Sequence, residues 1–419
     1  MKLGSKLFAK ISPDVEPSCH VDQANNQLIR GWVESLDDLA GSMIKIASST
    51  DQVVIHSDIY RPDVRRVSRH RTGLCGFSYD ISCWVDKKCS VSYLGKKCNA
   101  VNHHRPLFFV HIPKTAGTSF KRAAADYFGN DAVIKNYGKK SPETSKIVHE
   151  MLLNKKQQYE IYLNMQRQGV GLYTGHVHLA SMMDVFPAKD IVSFVRHPVE
   201  QVLSHFNHYR LHYDYSASVE TFINQQGFKN LQSRFLGGVP VQLIGFVGLT
   251  EAYDSSLEIF NKSYKTNIKG KRLNVIPEDK KVAVSQPLVE LIKENNTRDF
   301  ELYQLCKDLL AQRTELTNRG VPWCYGFIDK PTKDQVSGLA YWADSDKPVE
   351  LSVFHDKGQG QVHLGDCTAS LIKPAMKRYA VPRSGFVGFT FKFPDACDRK
   401  NIRVVIKKTG QQLTEVQGI

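Results

Sequence analysis

Two short, nearly continuous apolar runs, each followed at once by a helical pattern, set the tightest limit on how this chain folds. LFFVHI (107–112) and DIVSFV (190–195) are too short for buried helices and do not alternate. Such runs suit strands covered on both faces, as in a parallel sheet. After Thr118, Phe120, Ala123, Ala124 and Tyr127 recur at i, i+3, i+4 and i+7. After Pro198, Val199, Val202, Leu203 and Phe206 do the same. Strand, turn and helix, twice over, predicts an α/β domain with a mainly parallel sheet. Further helices are expected over 250–262 and 287–313, and helix plus exposed loop across the lysine-rich stretch 139–168.

A repeat brackets this domain. LIRGWVESLDD, MIKIASS, QVVIHSDIY and RTGLCGFSYDI occur in that order near the start; QVSGLAYWADS, VELSVFHD, QVHLGDC and PRSGFVGFTFKF follow near the end. Each copy places a glycine early (Gly31, Gly338) and closes on Gly-x-x-Gly-Phe: Gly73, Gly76, Phe77 and Gly385, Gly388, Phe389. Period-two alternation between turn residues predicts two small all-β sandwich-like domains. The expected division is 1–103, β-rich; 104–328, α/β; 329–419, β-rich.

With 419 residues and a formal net charge of +14, the chain exceeds one ordinary core and favours acidic partners. No apolar stretch reaches the roughly 18 residues that a membrane helix needs, and the first ten residues lack the apolar segment of a cleaved signal. Nine cysteines form no CxxC pair, which predicts free thiols in a reducing cytoplasm. Cys83, Cys89 and Cys98 with His103 and His104 leave a weaker metal alternative.

Chemistry concentrates in two turns. In Pro113-Lys114-Thr115-Ala116-Gly117-Thr118-Ser119, Gly117 lets the backbone approach an oxyanion, and Thr118 and Ser119 open a helix whose N-terminus favours negative charge. Lys114 adds a compact cation; alternatively it is a solvated loop lysine, and Thr118 a plain cap. In the second turn Arg196 ends a strand, Pro198 starts a helix, and Ser204 follows about two turns later. Two phosphate grips on one sheet suggest a nucleotide phosphorylated at both ends.

The stretch Lys114-Thr-Ala-Gly-Thr-Ser119 resembles the 5′-phosphosulfate loop of sulfotransferases that use 3′-phosphoadenylyl sulfate (PAPS), and Arg196 through Ser204 their 3′-phosphate motif. The nearest pattern is that of carbohydrate sulfotransferases related to heparan sulfate 2-O- and 6-O-sulfotransferases. LYTGHVHL (172–179), NLQSRFLGG (230–238), FVGLTEAYDSSLEIF (246–260) and NNTRDFELY (295–303) resemble family segments in the same order. The resemblance implies a P-loop-like sulfotransferase fold and transfer of a sulfuryl group from PAPS to a sugar hydroxyl, without a metal. It gives Lys114 the leaving phosphate, Thr115, Gly117, Thr118 and Ser119 the 5′-phosphosulfate, and Arg196 and Ser204 the 3′-phosphate. It makes His176 the base, a role that imidazole suits near neutral pH. His178 would share a strand face with it by alternation, though it reads more simply as a packing or surface histidine; His111 is a weaker rival.

The sequence departs from the family at Thr174, where the 2-O-enzymes carry another histidine, and at His197 and Gln201, which replace an aspartate and an arginine. Asn230, Gln232 and Arg234 are candidates for donor or acceptor contact, or in the case of Arg234 for pinning a loop. The β modules resemble small domains attached to bacterial carbohydrate-modifying enzymes and offer acceptor positioning, self-association or sheet-edge cover. The partner expected is therefore a glycan or glycolipid acceptor, not nucleic acid, met by a cytoplasmic, bacterial-type enzyme. Two other classes stay open: a non-catalytic glycan-binding protein and a nucleotide-dependent phosphotransferase.

Overall fold

In the computed structural model the described residues are 18–24, 28–34, 42–61, 64, 72–86, 88–100, 106–271, 284–342, 345, 347–356, 360–379, 381–394 and 401–416. The chain divides into two units, Met1–His103 and His104–Ile419. His103 and His104 themselves lie outside the described residues.

The first unit is all β. Its strands are β1 (Ser18–Ala24), β2 (Leu28–Glu34), β3 (Met43–Ala47), β4 (Gln52–His56), β5 (Ile59–Tyr60), β6 (Leu74–Asp80), β7 (Ser90–Tyr93), β8 (Lys96–Lys97) and β9 (Asn99–Ala100). One sheet runs β5-β6-β2-β1-β9 and the other β4-β3-β7-β8. Val21, Ile29 and Phe77 from the first share a core with Ile44, Ile46 and Val91 from the second, so two half-buried faces close on each other. The free-thiol expectation fails here: Cys19 and Cys98 form a disulfide. Spacing gave no hint of it because the pairing of β1 with β9, His20 opposite Asn99, brings together residues 79 positions apart. Cys98 is thus withdrawn from any metal site.

In the second unit β10 (Leu107–Val110), β11 (Val133–Asn136), β12 (Leu172–Gly175), β13 (Ile191–Val195) and β14 (Phe246–Leu249) form one sheet in the order β11-β12-β10-β13-β14. Every pairing in it is parallel. The two apolar runs are β10 and β13, neighbours at its centre. Each is fully buried along its length, which is why neither alternates. Helices α1 (Gly117–Phe128), α2 (Gln158–Arg167), α3 (Pro198–His212), α4 (Val219–Asn224), α5 (Leu231–Leu236), α6 (Tyr253–Tyr264), α7 (Gln286–Asn295) and α8 (Thr297–Asn318) accompany the sheet. The mainly parallel α/β domain is therefore as expected, while 287–313 proves to be two helices split at Asn296. No helix among the described residues is long and apolar enough to cross a membrane.

The unit closes with β15 (Cys324–Ile328), β16 (Gln335–Trp342), β17 (Val349–Asp356), β18 (Gln361–Ala369), β19 (Leu371–Ile372), β20 (Phe386–Lys392) and β21 (Ile402–Ile406). Their sheets, β15-β16-β20-β19 and β18-β17-β21, copy the orders β1-β2-β6-β5 and β4-β3-β7 of the first unit. Register agrees residue for residue: Gly31 opposes Phe77 as Gly338 opposes Phe389. In both copies a Cβ on that glycine would strike the carbonyl of the neighbouring strand, His20 or Phe327, and the ring of the opposed Phe. Both copies also join an aspartate on or just past their first strand to a cation beside the glycine motif, Asp22 to Arg61 at 2.5 Å and Asp329 to Lys373 at 3.2 Å. This repeat places β15, which the sequence reading left in the α/β domain, as the first strand of the C-terminal module. Tyr325, Phe327, Leu339 and Val387 of that module enter the same apolar core as the parallel sheet.

Candidate active site

Parallel strands put all their C-terminal ends on one edge, and ligands of such sheets gather there. The adjacent strands β12, β10 and β13 deliver His176, Lys114 and Arg196 to that edge.

The turn after β10 is shaped by its backbone. Lys114 and Ala116 both take left-handed φ, 67° and 62°, with Thr115 between them. Such alternation turns successive N–H groups into a concavity that suits an anion. Thr115 is buried, its hydroxyl donating to the Ile112 carbonyl at 3.0 Å, so its side chain locks the turn. The N-cap of α1 is Ala116, whose side chain offers nothing to the first-turn N–H groups. Gly117 passes so close to the His111 ring that any Cβ there would overlap it. Thr118 is exposed at the helix start and Ser119 is turned inward.

The turn after β13 is held by side chains. Gln232, wholly buried on α5, accepts the Arg196 N–H and donates to the Arg196 carbonyl, both at 2.8 Å. Asp299 of α8 in turn accepts the N–H groups of Gln232 and Ser233 and the Ser233 hydroxyl. The Arg196 guanidinium donates to the Lys114 carbonyl at 3.4 Å and pairs with Glu200 at 3.2 Å. One turn on, Gln201 donates to the Pro113 carbonyl at 3.0 Å, which ties α3 to the anion loop. An arginine in that buried position would have no place for its charge. Ser204 follows on the same face of α3, 8 % exposed.

His176 begins just past β12, with Nδ1 2.8 Å from the His111 carbonyl. A carbonyl only accepts, so Nδ1 carries the proton and Nε2 keeps its lone pair. The ring lies 4.6 Å from that of His111 and 5.0 Å from that of Tyr137. Behind it, the Tyr137 hydroxyl meets His111 Nδ1 at 3.0 Å, and Lys121 sits over the Tyr137 ring while pairing with Glu143 at 2.9 Å.

Burial, and then the Arg196 charge, hold the Lys114 ammonium below its usual pKa. Burial holds His176 below the ordinary histidine value, with the His111 carbonyl pulling the other way. His205 falls to about 3 and His208 to about 4, both mainly through burial and then through neighbouring positive groups, Lys114 among them. Two cations beside imidazoles that stay neutral at pH 7 make a site for an anion together with a base.

Lys114, Arg196 and His176 thus follow three adjacent strands at one edge of the sheet, whereas the His178 ring is taken up by α5. The strand stops at Gly175, so alternation no longer applies; His178 stacks on Phe235 at 4.4 Å and its Nδ1 meets the Arg234 carbonyl. Arg234 spends its guanidinium on the carbonyls of Gln226, Gly227 and Lys229, a loop-pinning role. Asn230 and Gln232 likewise hold the scaffold, Asn230 through Asn296 and Asp299. His111, the weaker rival, is buried, with its ring packed against Gly117 and its Nδ1 beside the Tyr137 hydroxyl. His205 and His208, Tyr137 and Lys121 were missed; the i, i+3, i+7 spacing of His205, His208 and His212 after Ser204 was the one readable signal. Among the described residues no cluster of three or more histidine, cysteine, aspartate or glutamate side chains is arranged to hold a metal.

Compared with protein-family models, curated proteins and solved structures, the chain gives no match.

Proposed function

We propose that this chain is a PAPS-dependent sulfotransferase acting on a hydroxyl of a carbohydrate acceptor. The observation that carries the reading is the meeting of Lys114 and Arg196, 3.4 Å apart through carbonyl and guanidinium, with a proton-accepting histidine at the same sheet edge. A donor charged at both ends fits two cations on neighbouring turns. The glycine-roofed nest and the side-chain-uncapped start of α1 fit its phosphosulfate end.

PAPS supplies the sulfuryl group. Lys114 neutralises charge growing on the phosphate oxygen as its bond to sulfur breaks. Arg196 and Ser204 hold the 3′-phosphate, and Gln232 keeps the Arg196 backbone in place. His176 takes the acceptor hydroxyl proton at Nε2 as the new O–S bond forms, and the product nucleotide is adenosine 3′,5′-bisphosphate. His111 orients that base through its carbonyl.

Calorimetric titration tests the reading: adenosine 3′,5′-bisphosphate should bind without Mg²⁺ and more tightly than ATP. Tighter binding of ATP that depends on Mg²⁺ would instead favour phosphoryl transfer.

A further inference from the structure

Helix α3 continues beyond the anion site. Past Ser204 it carries His205, His208 and His212 on successive turns and ends on Tyr213. His208 lies about one turn beyond Ser204 on the same helix. From His208 a run of rings leads outward, to His212 at 4.7 Å and to Tyr213 at 5.6 Å. The Tyr213 side chain is 65 % exposed.

That ring is not loose. The Tyr213 backbone N–H donates to the Tyr209 carbonyl and the Tyr213 ring packs 5.1 Å from that of Tyr209. Tyr209 is bedded on Phe222 and Phe228, which stack on each other at 3.8 Å. Asp214 then turns the chain with φ 51°, and Tyr215 packs back on Phe222. Single exposed apolar residues are ordinary. Three connected rings, anchored from beneath and leading away from a transfer centre, call for a ligand.

We infer that His208, His212 and Tyr213 form a platform for a pyranose ring of the acceptor. Flat faces with polar rims match a sugar's C–H face and its hydroxyls. The helix rise sets His212 about 12 Å beyond Ser204, clear of the residue that would hold the donor's 3′-phosphate. Stacked nucleobases are the competing occupant, but they ask for a continuous basic track beside the rings, whereas the charged residues flanking Tyr213, Arg210 and Asp214, are of opposite sign. The direction of the chain along the platform rests on the sulfuryl-transfer reading.

The test uses the full chain saturated with adenosine 3′,5′-bisphosphate and hexasaccharides of N-acetylheparosan, chondroitin and chitin, followed by saturation-transfer NMR and calorimetry. At least one hexasaccharide should bind; Tyr213→Ala should weaken it about tenfold, and Tyr213→Phe should keep it within about twofold. Nucleotide affinity should be the same in both variants. Equal hexasaccharide affinity in wild type and Tyr213→Ala, no binding of any hexasaccharide to wild type, or a loss of oligodeoxythymidine binding alone would each overturn the platform. If the nucleotide fails to bind wild type, the sulfuryl-transfer reading falls, while the Tyr213 comparison run without it still decides the platform.

Discussion

The turn after β10 and the turn after β13 bring one cation each to the same edge of the sheet, and they are built by opposite means. The first is a backbone structure: two left-handed residues, a glycine against an imidazole and a helix start without a side-chain cap. The second has an ordinary extended entry and a proline at the helix start, and owes its shape to Gln232, held by Asp299 from another helix. A nest binds whatever anion fits its N–H groups, whereas a guanidinium carried on a clamped peptide can be aimed. The difference suggests a division of labour, with chemistry at the first turn and recognition at the second.

Lys114→Ala should break that division most visibly, lowering transfer by roughly two to three orders of magnitude while leaving acceptor binding intact. Radiolabelled sulfate transfer beside glycan calorimetry checks it; unchanged turnover would remove chemistry from the first turn. Gln232→Leu comes next. Freed from its amide clamp, Arg196 should hold adenosine 3′,5′-bisphosphate roughly tenfold more weakly, with a smaller effect on turnover at saturating donor. An equal loss in both would mean that the two turns do not divide the work.

Much of this contrast was readable from sequence, but not its causes. The strand–turn–helix units, Gly117 and Arg196 were legible because buried strands lose alternation and anion loops need glycine. Gln232 was visible only as a motif member, since nothing local says that an amide 36 residues downstream will grip the Arg196 peptide. The same holds for Gln201, which looks like a lost arginine until its bond to the Pro113 carbonyl is seen. The repeat was legible through its glycines, which sit where the opposed Phe ring and the neighbouring strand leave no room for a Cβ. The disulfide was not, because it is a product of strand pairing.

The pH dependence sharpens the comparison further. His176 is depressed below the usual histidine value, so the neutral base persists into mildly acid solution. The acid limb of kcat/KM should therefore fall at a pH below 6.5, the ordinary histidine value. Lys114 is also depressed, so its charge, and with it activity, is lost as pH rises through a value below the ordinary 10.4 of lysine. A full pH–rate profile of wild type beside His176→Gln would show both limbs in the first and no measurable rate in the second. The smallest effect belongs to Glu200, which shares Arg196 with the incoming anion. Glu200→Gln should tighten nucleotide binding by a few-fold at low salt, fading as salt rises; weaker binding would mean that the carboxylate aims the guanidinium rather than competing for it.

The bond between Cys19 and Cys98 has a use outside the test tube. Such links endure in oxidising surroundings and are opened by the glutathione and thioredoxin of a cytosol. Acid-quenching living cells, blocking exposed sulfhydryls and weighing the intact chain would therefore report the redox character of the place where the protein resides, with the N-terminal module serving as its own indicator.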